Sequence, residues 1–212
     1  MIYLNGKTEF DYRANFIHKE ISSPEPKRTT VSIPLTDGEI DTSAILSPIP
    51  FFETREIQIG LEFRSHRWEW PIYWSQLFED LHGQTVKVEL PDDPNYYWTG
   101  VASVGEIEDH GMTAGVTITV AAHPFKRSRV AEPLFNGTLS GDETLEISVT
   151  AMRGYPEFDA GAPGMTVEYD GETWTLPVGE STCFGLVLPH GDSTLTLHGS
   201  GSLTVKYREG AL

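Results

Sequence analysis

Cysteine is almost absent from this sequence. Cys183 is the single cysteine among 212 residues, so no disulfide can form within the chain. It lies in the apolar run 183–188, which predicts a buried thiol on a strand rather than a reactive one. The amino terminus lacks the basic start and apolar core of a signal peptide. We therefore expect the protein to be made and folded in a reducing cytoplasm.

Long hydrophobic runs and basic residues are also scarce. No stretch approaches the ~18 apolar residues that a membrane span needs, so no membrane insertion is expected. The chain carries 15 Lys and Arg against 31 Asp and Glu, a net charge of −16. That balance disfavours a nucleic-acid-binding surface, because phosphate recognition needs clustered cations. Two interpretations stay open: a solvated acidic surface, or an acidic wall past which nucleic acid slides without binding.

Signatures of catalysis and metal binding are missing. No serine stands in a Gly-x-Ser-x-Gly elbow, and the seven histidines show no zinc-site spacing. The acidic segments 37–41 and 92–93 lack the ligand spacing of a calcium loop, and turn chemistry explains them more simply. A glycosidase with paired carboxylates stays open, because carboxylate separation is invisible in sequence. We predict no cofactor, no metal and no enzymatic activity.

Strict alternation is the pattern that is present. The apolar residues Ile57, Ile59, Leu61 and Phe63 alternate with polar or small ones, and the same holds over 86–90 and 116–120. A period of two places each apolar set on one face of a sheet. Turn residues at 105–111 separate two such strands, which predicts a long hairpin over residues 96–122.

One segment follows helical spacing instead. Between Pro71 and Gly83, the positions that recur on one helical face are Tyr73, Trp74, Leu77, Phe78 and Leu81. Proline suits the first turn of a helix and glycine the position just past its end. The wide apolar face should pack on a sheet. His82 is interpreted as a cation at the helix C-terminus when it is protonated.

A second alternating region follows the basic run 126–129. Leu145, Ile147 and Val149 alternate with polar residues, and further short strands are separated by turns such as Asp170-Gly171. This spacing is typical of a β-sandwich. The sequence therefore predicts an all-β protein with one helix. An N-terminal β-sandwich with a long hairpin and a packed α-helix would span residues 1–127, and a C-terminal β-sandwich residues 128–212.

Three passages carry a resemblance. The first is the segment 33–41, with its Asp37-Gly38 turn and Asp41. The second runs from the helix end through the acidic turn 91–93 to the aromatic strand Tyr96-Tyr97-Trp98, closing at Gly100. The third is the strand 116–122 that ends in Pro124-Phe125-Lys126. In this order they resemble the distal tail protein family of long-tailed phages, although the family often has Gly-Arg where Leu35-Thr36 stand here.

The resemblance implies a fold, a place and a role. The segments 191–199 and 205–208 resemble the end of the galectin-like β-sandwich of that family. The chain would form a homo-hexameric ring at the distal end of the virion tail. The ring would join the tail tube protein to a tip, hub or fibre protein and let DNA pass without specific binding. The residues placed at its interface are Asp37, Gly38, Asp41, Tyr96, Tyr97, Trp98, Pro124 and Phe125.

A carbohydrate-binding module for host recognition is the alternative function. Lectin sites stack a sugar on an exposed aromatic ring, and Trp174 is the candidate for that role. Its place on an alternating strand favours a side chain that faces the core instead. The aromatic residues in 68–78 also have two possible roles, core packing or a subunit interface, because both environments are rich in aromatic side chains.

Overall fold

The computed structural model describes residues 1–32, 50–183 and 185–212, and the backbone of Ile40 and Asp41. These residues form β-strands, one α-helix and one 3-10 helix, so the predicted all-β class with one helix is confirmed. They divide into two compact units, Met1–Lys126 and Arg127–Leu212. The assignment of residues 1–127 to a ring-forming domain and of residues 128–212 to a galectin-like β-sandwich domain stays a prediction.

The first unit is built on one antiparallel sheet. The elements are β1 (Tyr3–Leu4), β2 (Lys7–Thr8), the 3-10 helix (Glu9–Tyr12), β3 (Ala14–Ile21), β4 (Thr30–Val31), β5 (Ile40–Asp41), β6 (Arg55–Phe63), α1 (Trp70–Leu81), β7 (Thr85–Glu89), β8 (Tyr96–Val104), β9 (Glu108–Asp109) and β10 (Ala114–Ala122). The strands of the sheet pair in the order β2-β1-β7-β8-β10-β6-β3, β9 pairs with β10, and β4 pairs with β5 apart from the others.

Alternation along β6 and β10 creates the core of this unit. The register sets Ile118 opposite Ile59 and Val120 opposite Ile57, so the apolar sets of both strands share one face. All four side chains are fully buried. Burying one such side chain contributes about 1.5–3 kcal/mol, which makes this face the main source of stability. The predicted hairpin is present as β8 and β10, which pair antiparallel.

Helix α1 begins and ends where the sequence predicts. Pro71 lies in its first turn, Leu77 and Leu81 are buried, and Gly83 follows the helix end with a φ of 72°. At its last turn, the Asp80 carboxylate accepts hydrogen bonds from Lys7 Nζ (2.5 Å) and Tyr12 Oη (3.1 Å). The helix is thereby tied to the short connection between β2 and β3.

That connection also shows that the sheet is strongly curled. Strands β2 and β3 lie at opposite ends of the strand order, yet only the residues between Thr8 and Ala14 join them. A fully extended chain of this length spans at most about 20 Å. The two ends of the sheet must therefore approach each other and wrap around the buried face.

The second unit is organised around one long strand, β13. Its first part pairs with β17 and its last part with β18, and the register shifts between Val149 and Arg153. Such an irregularity lets a strand pass from one set of partners to another, as at the corners of sandwiches. The elements are β11 (Lys126–Ser128), β12 (Glu132–Ser140), β13 (Glu143–Ala160), β14 (Thr166–Tyr169), β15 (Glu172–Thr175), β16 (Gly179–Ser181), β17 (Leu188–His198) and β18 (Ser200–Ala211).

The described residues of the apolar run 183–188 lie outside any strand until Leu188, so the prediction that Cys183 lies on a strand is wrong. Strand β17 begins only at Leu188, and Cys183 lies outside any strand. The reason is Gly185, whose φ of 86° belongs to a turn that extended pairing does not allow. Cys183 is half-buried, and burial raises the pKa of its thiol. This environment favours a structural thiol.

Candidate interaction surfaces

The first passage of the sequence analysis lies largely outside the described residues. Asp37 and Gly38 are among the residues that the structure does not describe. Of Asp41, the backbone is described: it pairs with Thr30 in the two-stranded ladder of β4 and β5. The interface role of these three residues stays a prediction.

The passage after the helix is joined to β8 by hydrogen bonds of Gly83 and His82. The Gly83 N–H donates to the Ala102 carbonyl at 2.8 Å, which joins the helix end to β8. His82 Nδ1 accepts a hydrogen bond from the Val104 N–H at 3.1 Å, and its ring stacks on Phe78 at 4.0 Å. The His82 ring thus joins the end of the helix to β8. Its interpretation as a helix-terminal cation when protonated stays a prediction.

The acidic turn before β8 is neutralised by two lysines. Lys19 forms an ion pair with Asp92, and Lys126 Nζ lies 2.6 Å from Asp93. The hydrogen bond from Lys19 lowers the pKa of Asp92. Both carboxylates thus join this turn to other parts of the first unit, which explains them without a metal ion.

The aromatic strand presents its three rings unequally. Trp98 is buried in the core, whereas Tyr96 and Tyr97 are half-buried. Lys126 Nζ lies 5.0 Å from the centre of the Tyr96 ring, and Lys87 Nζ lies 4.2 Å from that of Tyr97. Both distances allow cation–π attraction. Among the members of the predicted interface set whose side chains are described, the two tyrosines are therefore the ones that reach the surface.

Pro124 and Phe125 are buried, unlike the two tyrosines. The Phe125 ring meets Phe52 edge to face, with ring centres 5.7 Å apart. Such edge-to-face pairs add about 0.5–1.5 kcal/mol beyond their buried area. Within the chain itself, the Pro-aromatic end of the strand thus serves packing, and its interface role stays a prediction.

Arg55 is a feature that the sequence analysis missed. Its side chain is only 8% exposed, and its guanidinium lies 4.7 Å from the centre of the Trp98 ring. Burial lowers the pKa of this arginine, and its Nε has no hydrogen-bond partner among the described residues. The sequence pattern already indicates this position: Arg55 is two residues before Ile57 on β6, so the alternation of the strand places both side chains on the core side.

An exposed apolar patch lies at the start of α1, and we call it the helix-start patch. The patch consists of Trp68 and Ile72 at the start of the helix, which are 70% and 59% exposed, and of Phe10 in the 3-10 helix, which is 53% exposed. A pocket of about 420 Å³ opens beside Phe10, and its lining residues are Phe10, Arg13, Ala14, Asn15, Arg64, Ser65, Glu69 and Tyr73. Trp, Tyr and Arg are the side chains that carry most binding energy in protein interfaces.

In the second unit, Trp174 packs towards the core, and its role in sugar stacking stays a prediction. It lies opposite Val167 in the register of β14 and β15, and Val167 is fully buried. Trp174 is half-buried and packs against the core of this unit. The core-facing orientation that alternation favours is therefore the one observed.

A polar cleft lies elsewhere in the second unit, on β13, β16 and β18. Its volume is about 420 Å³. The lining residues are Glu157, Phe158, Asp159, Glu180, Ser181, Thr182, Thr204, Lys206 and Arg208. Arg208 Nε donates to a Glu157 oxygen at 2.6 Å. No sequence pattern pointed to this site, because its residues come from three separate strands.

Two further searches of the described part of the chain are negative. No group of three or more His, Cys, Asp or Glu side chains there is arranged to hold a metal ion. None of its helices is long and apolar enough to cross a membrane.

Comparisons with known proteins identify the fold. No protein family model matches the chain, and no curated protein matches its sequence. Among solved structures, the chain is similar to the crystal structure of the SPP1 Dit protein, described as a paradigm of the hub adsorption apparatus in Gram-positive infecting phages. The TM-score is 0.60 at 14% identity, over 100% of this chain and 98% of that one. Both chains thus share one fold along their whole length.

Proposed function

We propose that this chain is a structural protein of a phage tail tip. In this proposal it forms a homo-hexameric ring that joins the tail tube to the tip, hub or fibre proteins at the distal end of the virion tail. The observation that carries the proposal is the shared fold with the SPP1 Dit protein, which covers 100% of this chain and 98% of that one. A match of this extent includes both compact units rather than one common β-sandwich.

The chemistry of the described residues supports a structural role over catalysis. Several charged side chains pair with each other, as Lys126 does with Asp93 and Arg208 with Glu157. A net charge of −16 also suits a channel wall, because acidic side chains repel DNA phosphates and let the genome pass without binding. On this basis the function lies in contacts between proteins.

The helix-start patch is the proposed contact between neighbouring subunits. A ring closes through heterologous contacts, in which one face of a subunit meets a different face of the next. The patch exposes Trp68 and Phe10, and Arg13 lines the pocket beside Phe10. A second copy of this acidic chain offers carboxylates to that arginine.

Mass photometry of the purified full-length chain tests the ring directly. We expect a species with six times the mass of the chain, in equilibrium with the monomer as the protein is diluted. Native mass spectrometry then separates a hexamer from neighbouring stoichiometries. A chain that stays monomeric up to the highest soluble concentration contradicts a self-assembling ring.

A further inference from the structure

The polar cleft of the second unit contains charged groups that lack partners. The register places Asp159 directly opposite Glu180 on the neighbouring strand, so two carboxylates face each other. Like charges in this position destabilise a sheet. Among the described residues, neither carboxylate has a hydrogen bond or an ion pair, and Lys206 has none either. This contrasts with Arg208 and Glu157 in the same cleft, which form an ion pair.

The lining excludes an apolar ligand. Among the described lining residues, Phe158 is the one large apolar residue, and its side chain is 1% exposed because it belongs to the core of the unit. Its neighbours Glu157 and Asp159 alternate to the opposite side of β13, which is the side that the cleft occupies. A ligand there is held by hydrogen bonds to side chains and to backbone groups.

The charges also exclude an anion and a metal ion. Three carboxylates against two cations leave the lining with an excess of negative charge, which repels phosphate and acidic sugars. The described residues offer no set of three metal ligands here. The volume of about 420 Å³ falls within the ~300–1,000 Å³ of small-molecule sites.

We propose that this cleft binds a neutral carbohydrate. A sugar hydroxyl both donates and accepts hydrogen bonds, so adjacent hydroxyls can donate to Asp159 and Glu180 while another accepts from Lys206. Hydrogen bonds to charged groups are the stronger ones, and they would satisfy the groups that the chain leaves unpartnered. Two facing carboxylates destabilise the sheet when no ligand is bound. Such locally unfavourable arrangements are typical of functional sites. This site is separate from the ring contact of the first unit.

A glycan array probed with the labelled full-length chain provides the test, with neutral bacterial and host oligosaccharides as the printed ligands. The best-bound oligosaccharide is then titrated by calorimetry. The test variants are Asp159→Asn combined with Glu180→Gln, and Lys206→Met. The matched control is Glu146→Gln, which removes an exposed carboxylate of the same strand outside the cleft.

The expected result is binding that both cleft variants weaken at least about ten-fold and that the control leaves unchanged. Thermal unfolding of each variant shows that the fold is retained. Absence of binding to every neutral glycan overturns the proposal, and so does binding that survives the double variant. Mass photometry of the double variant reports ring formation separately, so failure of the ring and failure of the sugar site are distinguishable.

Discussion

His198 lies between two carboxylates at the surface of the second unit. Its Nδ1 is 2.8 Å from Asp142 and its Nε2 is 3.4 Å from Glu168, so one imidazolium joins three segments of the chain. The hydrogen bond with Asp142, followed by that with Glu168, raises the pKa of His198 above its ordinary 6.5. The doubly bridged ring is a small pH-dependent contribution to stability.

The sign of this dependence follows from the raised pKa. In the unfolded chain the imidazole titrates near 6.5, so the stabilisation is fully present below that pH and is lost as pH rises through the higher folded value. We expect His198→Gln to lower the melting temperature at pH 5.5 and to have little effect at pH 8.5. Thermal unfolding at both pH values measures this. An equal effect at both would contradict an ionic role.

For the buried Arg55, we expect the positive charge to add no stability, in contrast to the charge on His198. Its cation–π contact with Trp98 contributes up to about 2 kcal/mol, whereas burying a guanidinium without full hydrogen bonding costs several kcal/mol. We expect Arg55→Met, which keeps the volume, to leave the free energy of unfolding within about 1 kcal/mol or to raise it. Urea denaturation measures the change. Arg55→Ala is the comparison, because it removes the packing as well. A loss above about 2 kcal/mol in Arg55→Met would show that the charge itself stabilises the fold.

At the scale of elements, Gly100 sets how closely β8 approaches β10. A methyl group added there would lie 2.3 Å from the Ala121 carbonyl oxygen and 2.5 Å from the Ala122 Cα, and both are backbone atoms. We therefore expect Gly100→Ala to destabilise the protein by about 1–3 kcal/mol through overpacking. Val101→Ala is the control, because that neighbouring side chain is half-exposed and should change stability by no more than about 0.5 kcal/mol. Equal effects in urea denaturation would contradict the close approach.

The elements that sequence predicts well are those with a repeated local signal. Alternation placed Ile57 and Ile118 in the core, and Pro71 and Gly83 marked the limits of α1, because period and end residues act over a few positions. The strand predicted at Cys183 is absent, because the turn at Gly185 prevents extended pairing there in spite of the apolar composition. Local patterns describe one strand at a time, and they predict it only where no turn intervenes.

Sites that depend on the register between strands cannot be predicted from local sequence patterns. Asp159 and Glu180 are opposite each other only because β16 pairs with β13 at that position, and Lys206 joins them through β18. Nothing in the spacing of these residues along the chain indicates their meeting. Arg55 is predictable in part. Alternation along β6 indicates that its side chain points inwards, but its contact with Trp98 depends on how β6 and β8 lie on either side of β10.

At the scale of the whole molecule, the proposed ring would have to form against electrostatic repulsion between its subunits. Each subunit carries −16, and like-charged subunits repel each other. Apolar contact area must therefore supply most of the association energy. The helix-start patch offers it, whereas Trp98 and Phe125 of the predicted interface are already buried inside the monomer.

Replacing Trp68 by serine separates assembly from folding. Because this side chain is 70% exposed, Trp68→Ser should change the stability of the monomer by no more than about 0.5 kcal/mol. If it is a central contact of the ring, its loss costs about 2 kcal/mol or more per interface, enough to shift mass photometry from hexamer towards monomer. Val130→Ser is the control, since Val130 is also 70% exposed but belongs to the second unit. A hexamer that survives Trp68→Ser but not Val130→Ser would move the contact to the second unit.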